Sequence, residues 1–138
     1  MCNKIKTCYT EHLNEIVIKY SKIYGFDMGP DGRTSYNNEG DAFKHCFMSA
    51  EFTLWLCPLI SKIIGIEHEN SNPKNPEKER KMDLWNNNHG IEIGKKIKKA
   101  HLGWLFKINE IYDKIAEDII KEMKNGELIT SLDDPRLN

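Results

Sequence analysis

The segment from Asn38 to Cys57 constrains the fold most, because as a helix it would be apolar on nearly every face. Helices of this kind are usually buried inside a domain, since no side of them is suited to water. We therefore expect an all-helical protein organised around this one buried helix. The apolar residues behind this expectation are Ala42, Phe43, Phe47, Met48, Ala50, Phe52, Leu54, Trp55 and Leu56.

Apolar residues at helical spacing also mark other segments, and the chain shows no convincing pair of strands, no repeat and no domain boundary. Pro58 either kinks the central helix or begins the next one. The predicted fold class is all-α, with about five helices in a single compact domain spanning residues 1–138. Besides the central helix, we expect helices over about Thr10–Tyr24, from Leu59 to about Glu69, from Pro76 to about Lys99 with Asn75 as N-cap, and over about Leu102–Lys124.

Charge and composition exclude several classes of protein. The formal net charge is −1, so overall charge gives no reason to expect binding to nucleic acid or to an anionic membrane. No apolar run has the length of a signal peptide or a membrane span, so we expect a soluble, cytoplasmic protein. Cys2 directly after Met1 keeps one alternative open, a secreted or lipid-anchored protein whose signal sequence was removed. The four cysteines lack CxxC spacing, which excludes a zinc ribbon or a thioredoxin-type motif.

Three clusters of acidic, imidazole and amide side chains interrupt the apolar background. Asp41 and His45 are four residues apart, so on one helix they lie on the same face. Asp83 and Asn87 have the same spacing on a later helix. Glu67-His68-Glu69 ends the helix between them, where side chains can turn toward a shared pocket. Burying such groups costs several kcal/mol unless they bond one another, a metal or a ligand.

Carboxylate, imidazole and amide groups together suggest two kinds of site. They are ligand types for a divalent cation such as Zn²⁺, Mn²⁺ or Fe²⁺. They equally suit a metal-free acid/base site in which an acid orients His45 or His68. Structural roles stay open for single residues. Asp41 follows Asn38 by three residues and can satisfy backbone N–H groups at the helix start, and Asn86 can bridge to a neighbouring backbone.

At these clusters the chain resembles a widespread, uncharacterised bacterial family. The family carries a pattern close to (D/N)-A-F-R-H-A-Y-W, then A-H-E, then M-D-L-H-N-N-x-x-G. The matching stretches here are Asp41–Met48, Glu67–Glu69 and Met82–Gly90, within a family-like core of about residues 38–94. The pattern often ends large secreted or wall-associated bacterial proteins, an arrangement typical of toxin or effector domains, and it also occurs in small stand-alone proteins. Trp85 stands where the family usually has His, so a ligand at that position would be missing.

We predict a small hydrolase with a metal-assisted or a His/carboxylate site. In the metal version the ligands are His45, His68, Asp83 and Asp41, Glu69 is the general base, and Asn87 orients the substrate or the developing anion. His45 is also the candidate acid or base of the metal-free version. The toxin-like resemblance implies a bacterial polymer or lipid as substrate and an immunity protein as partner. The alternative is a non-catalytic helical binding or accessory module, in which the clusters form a structural polar network.

Overall fold

Helices make up nearly all of the regular structure. The structure, a computed structural model, describes residues 2–71, 74, 76–100 and 107–138. These residues contain no strand, which confirms the all-α class. The helices are α1 (Cys2–Tyr24), α2 (Glu39–Trp55), α3 (Pro58–Asn70), α4 (Glu77–Ala100) and α5 (Ile108–Lys124), followed by one 3-10 turn (Pro135–Leu137).

α2 lies at the centre, as predicted, and one hydrophobic core holds it against α1, α4 and α5. Phe43 and Phe47 are fully buried on α2, and their ring centroids are 5.8 Å apart. Phe26, from the loop before α2, stacks on Phe43 at 4.8 Å, while Tyr20 of α1 packs against both phenylalanines. Burying a side chain of this size stabilises the fold by about 1.5–3 kcal/mol, so this aromatic cluster anchors α2.

Two glycines let α4 approach α2 until the main chains touch. A Cβ atom at Gly90 would collide with the carbonyl oxygen of Cys46. One at Gly94 would lie only 2.8 Å from the carbonyl oxygen of Ala50. Only glycine permits so close an approach, which explains why two glycines occur inside a helix where each costs about 1 kcal/mol.

The first helix is longer than predicted, because it begins at Cys2 and not at Thr10. Thr10 therefore lies inside the helix and not at its start. Its hydroxyl donates to the carbonyl oxygen of Lys6, 2.9 Å away and one turn earlier in the same helix. A tertiary contact supports the added turns, since the Tyr9 hydroxyl donates a 2.7 Å hydrogen bond to the buried Glu51 carboxylate of α2. Local spacing cannot reveal a contact between residues so far apart in sequence.

α3 turns small and polar residues inward and large apolar residues outward. Its buried residues, four apart, are Ser61, Gly65 and Glu69. A Cβ atom at Gly65 would lie 3.1 Å from the Asn87 amide nitrogen, so α4 leaves little room for a larger side chain there. Solvent instead reaches Trp55, Leu56, Leu59, Ile60 and Ile63.

The prediction that α2 is buried along its whole length is wrong at its C-terminal end. Trp55 is 52% exposed. Lys98 lies there, and its ammonium group bonds the Leu56 carbonyl oxygen at 3.4 Å. α5 begins at Ile108, and its N-cap residue Lys107 has extended backbone.

Some predictions concern residues that the structure does not describe. The N-cap at Asn75 and the predicted helical residues 102–106 lie outside the described residues. Within the described ranges, no helix combines the length and the apolar character needed to cross a bilayer.

Candidate functional site

α2 presents Asp41 and His45 on its buried face, one helical turn apart. Asn38 caps this helix, because its side chain accepts a 3.0 Å hydrogen bond from the Asp41 backbone N–H. The Asp41 carboxylate accepts from the Asn37 N–H at 2.8 Å and pairs with Lys44 Nζ at 2.7 Å. Asp41 thus helps to hold the start of α2, while the oxygen that pairs with Lys44 also faces His45.

α4 brings Asp83 to the same place from the opposite side. Asp83 Oδ1 lies 3.4 Å from His45 Nε2, and Asp41 Oδ1 lies 3.7 Å from the same nitrogen. The three residues are buried, and each offers a ligand atom within 4.8 Å of the other two. Gly90 lies two turns after Asp83, so the contact between the main chains of α2 and α4 sets this spacing. The structure therefore brings together three of the four predicted metal ligands.

These separations suit ligands of one cation better than they suit hydrogen bonds. Nitrogen and oxygen atoms joined by a hydrogen bond lie about 2.7–3.2 Å apart. Two ligand atoms that are each about 2.1 Å from a cation, at tetrahedral angles, lie about 3.4 Å apart. One imidazole and two carboxylates form a donor set that suits Zn²⁺, Mn²⁺ or Fe²⁺.

α3 supplies Glu69 and His68, which lie at different depths. Glu69 is 3% exposed, and its carboxyl group hydrogen-bonds that of Asp83. His68 reaches solvent, and its ring centroid is 6.2 Å from that of His45. Desolvation of its inner side and two nearby lysines lower the pKa of His68. Its nitrogens lie outside the group of clustered ligand atoms, so a ligand role for His68 stays a prediction that requires its side chain to turn inward.

Burial and mutual repulsion change the acid–base behaviour of the cluster. Burial first, and then the charges of Asp41 and Glu69, raise the pKa of Asp83 to about 9. Burial lowers the pKa of His45 to about 4, so its imidazole is neutral near pH 7 and keeps a lone pair for coordination. When all are ionised, the three carboxylates and the Lys44 ammonium leave two uncompensated negative charges, which one divalent cation would neutralise.

The cluster is buried but not fully hydrogen-bonded. Among the described residues, His45 Nδ1, Asp83 Oδ1 and Asn87 Nδ2 are buried polar atoms without a hydrogen-bond partner. Ser49 orients the Asn87 side chain by donating to its Oδ1 at 3.1 Å. Each unsatisfied buried atom costs about 1–3 kcal/mol, so a purely structural network should have paired them. These atoms favour a site that receives a ligand.

Two neighbouring residues of α4 face away from the cluster. Asn86 is fully buried, and its amide exchanges hydrogen bonds of 2.8 and 3.0 Å with the backbone of Ile129. This bridge to a neighbouring backbone is the structural role expected for Asn86. Trp85 donates to the Glu127 carbonyl oxygen at 2.9 Å and lies 5.3 Å from the Arg136 guanidinium. Position 85 therefore faces the C-terminal segment, and Trp85 in place of the family histidine removes no ligand from this cluster.

Sequence reasoning missed Lys44 and Ser49, which hold Asp41 and Asn87 in place. A signal for each was present. Lys44 lies three residues after Asp41, the spacing of a helical ion pair, at the position of the arginine in the family pattern. Ser49 lies four residues after His45 and thus continues the same face of α2.

Comparison with known proteins gives a family but no solved relative. No solved structure matches the chain. Residues 22–127 match a family described as a domain of unknown function (DUF6973). This range contains all three motifs and the whole of α2, α3 and α4. Since the match spans well over half of the 138 residues, the chain belongs to the DUF6973 family.

Proposed function

We propose that this protein is a small metal-dependent hydrolase in which Asp41, His45 and Asp83 hold one divalent cation. The observation that carries the proposal is the distance from His45 Nε2 to the two carboxylate oxygens, 3.4 and 3.7 Å. These distances exceed hydrogen-bond lengths and match those between ligands of one small cation. The unpartnered Asp83 Oδ1 supports the same proposal, because leaving a buried polar atom without a partner costs about 1–3 kcal/mol.

The donor set suits Zn²⁺, Mn²⁺ or Fe²⁺. A bound cation of this kind brings the pKa of a coordinated water near neutrality and so supplies a nucleophile for hydrolysis. The protein itself contributes in two ways. It keeps His45 neutral, and it holds the two carboxylates in a buried place where bulk water does not solvate them. The burial of all three ligands meets both needs.

Glu69 and Asn87 have the remaining roles in this proposal. Glu69 is a third carboxyl group, which is hydrogen-bonded to Asp83. In this proposal it is the general base that accepts the proton lost by the nucleophile. The unpaired Asn87 amide nitrogen donates to the anion that develops on the substrate. His68 is exposed beside the cluster and in this proposal contacts the substrate. A metal-free dyad of His45 and an acid is the less favoured version, because it calls for shorter contacts.

A toxin- or effector-like setting is part of the same proposal and rests on the motif resemblance. That setting suits a bacterial polymer or a lipid ester as substrate, and an immunity protein as binding partner. It also suits a secreted or lipid-anchored protein, whereas a cytoplasmic location suits a stand-alone enzyme.

A non-catalytic module is the second candidate, and the contacts of Asp41 favour it. The Asp41 carboxylate is engaged by both the Asn37 N–H and Lys44, as a structural residue would be. In that case the cluster fixes how α2, α3 and α4 pack, and the protein acts by binding a partner. The two candidates differ in whether the protein binds a metal.

Elemental analysis of untagged protein, after loading with each metal and dialysis, tests the proposal. We expect about one ion per chain in the wild type and a loss of at least about tenfold in affinity in Asp83→Asn and His45→Gln. Asp118→Asn is the matched control, since it makes the same change at a surface ion pair with Lys114. Absence of bound metal in the wild type, or equal binding by Asp83→Asn, would overturn the metal centre.

Glu69→Gln separates catalysis from metal binding. This variant should keep its ion and lose hydrolysis of chromogenic ester and phosphoester substrates by about 10²-fold or more, since only the base is removed. Hydrolysis by wild-type protein in excess chelator would rule out the metal and leave the acid/base version. Full activity in Glu69→Gln would remove Glu69 as the base.

A further inference from the structure

The outer surface of α3 is a contiguous apolar area exposed to solvent. We define it by Leu59, Ile60 and Ile63 of α3 together with Trp55 and Leu56 at the end of α2, and these residues are between 43% and 67% exposed. Single exposed apolar residues are normal on a soluble protein. A group of five within nine consecutive residues is not, and contiguous apolar patches mark surfaces of interaction.

The fold does not allow α3 to hide this surface by rotating. Ser61 Oγ, on the inner face, donates a 2.9 Å hydrogen bond to the Ser49 carbonyl oxygen of α2. One turn later, Gly65 lies against Asn87, and one further turn places Glu69 beside Asp83. Each of these inner residues contacts a partner, and the large apolar residues on the opposite face of α3 could not make the same contacts. The apolar residues therefore point outward as a consequence of the packing.

Three lysines lie beside the outer surface of α3. Lys62 and Lys95 line a groove of about 430 Å³ beside Leu59. Lys98 lies at the other end, with Nζ 3.4 Å from the Leu56 carbonyl oxygen. Glu92, which pairs with Lys95, is the only acidic residue among those that line the groove. The overall charge of the chain hides this local excess of positive charge.

We propose that the outer surface of α3 docks on the surface of a lipid bilayer that carries anionic headgroups. Trp, Leu and Ile side chains suit the boundary between headgroups and acyl chains, while lysines extend to the phosphates above it. The lysines also argue against the other occupants. Lysine is depleted in protein–protein interfaces, which argues against a second copy of this chain or another protein as the occupant. This proposal does not depend on the hydrolase assignment.

Vesicle flotation with the full chain tests the proposal. Wild-type protein should float with vesicles of phosphatidylcholine and phosphatidylglycerol, and pure phosphatidylcholine should bind it on the order of tenfold more weakly. Leu59→Ser with Ile63→Ser should lower binding to the anionic vesicles by a further factor on the order of tenfold. Lys62→Glu with Lys95→Glu should abolish the preference for anionic lipid. Ile23→Ser is the matched control, because Ile23 is 59% exposed on α1, and it should bind like the wild type.

Three results would overturn the proposal. The first is wild-type protein that stays with the soluble fraction for every lipid mixture. The second is flotation that Leu59→Ser with Ile63→Ser leaves unchanged, since attraction of lysines alone would then explain binding. The third is sedimentation equilibrium showing a dimer that this double variant dissociates, in the absence of any binding to vesicles. Circular dichroism of each variant verifies that it is folded.

Discussion

Replacing Asp83 by Asn removes a buried acid with little change in shape, and it should change how stability depends on pH. In the folded chain the pKa of Asp83 is raised to about 9, whereas its ordinary value is 3.8. Between these values the folded state holds a proton that the unfolded state has released. The free energy of unfolding of the metal-free wild type therefore falls as the pH rises, by up to about 1.4 kcal/mol per pH unit.

Measurements at neutral and mildly alkaline pH separate the effect of Asp83 on the free energy of unfolding from the effect of His45. The pKa of His45 is lowered from 6.5 to about 4, so above its ordinary value His45 is neutral in both states and contributes no slope. Between about pH 6.5 and 8.5 the wild type should lose roughly 2–3 kcal/mol relative to Asp83→Asn. Urea denaturation of both proteins in excess chelator, at several pH values, measures this difference.

The test compares the slopes of the two profiles of unfolding free energy against pH. A constant difference between the profiles carries no information about Asp83, because Asn can lose some contacts that Asp makes. Asp118→Asn, at a half-buried ion pair away from the cluster, should follow the pH profile of the wild type between about pH 6.5 and 8.5. Parallel profiles for wild type and Asp83→Asn would refute the reasoning, since they would show that the folded chain holds no extra proton at position 83. A saturating metal should restore the alkaline stability of the wild type and leave Asp83→Asn unchanged.

Three further substitutions test the packing around the site. Gly90→Ala should destabilise the protein by about 3 kcal/mol or more in urea denaturation, because the added methyl group meets the Cys46 carbonyl oxygen. Asn86→Ala should cost about 2–4 kcal/mol, since it leaves the backbone N–H and C=O of Ile129 unpaired, and limited proteolysis should then cut the C-terminal segment sooner. Trp85→His should lower stability by about 1 kcal/mol and leave the metal content unchanged, because position 85 faces away from the cluster.

Asn88→Ala is a control for the first two substitutions, since Asn88 is exposed on α4 between them. It should unfold at nearly the wild-type urea concentration. Wild-type stability in Gly90→Ala would mean that α2 and α4 lie further apart than the structure has them. An additional bound ion in Trp85→His would show that this position does reach the metal.

The helical class and the central helix could be predicted because they follow from local spacing. The apolar residues around Phe43 define a buried helix before any partner is known, and Gly90 with Gly94 indicates where another helix approaches. The start of α1 could not be predicted, because a hydrogen bond from Tyr9 to Glu51 supports it across 42 residues. The orientation of α3 was equally hidden, since its apolar residues suggest burial while the close approach of α4 admits only small side chains.

For the candidate site, four-residue spacing could identify which residues share a face of a helix. It could not show how deeply each of those residues is buried. It placed Asp41 with His45 and Asp83 with Asn87. Whether those faces meet depends on the contact between α2 and α4, which the motifs alone do not reveal. Neighbours in sequence can also separate, as Glu69 and His68 do when the first turns inward and the second reaches solvent.

The bridge between Asn86 and Ile129 links the candidate site to the order in which the chain is made. Synthesis proceeds from the N-terminus, so α2, α3 and α4 exist as polypeptide before residue 129 does. Until then the buried amide of Asn86, three residues after Asp83, lacks both of its hydrogen-bond partners. The packing of the helix that carries Asp83 is therefore completed only after residue 129 has been made, and a nascent chain that is released before then would leave the site unfinished.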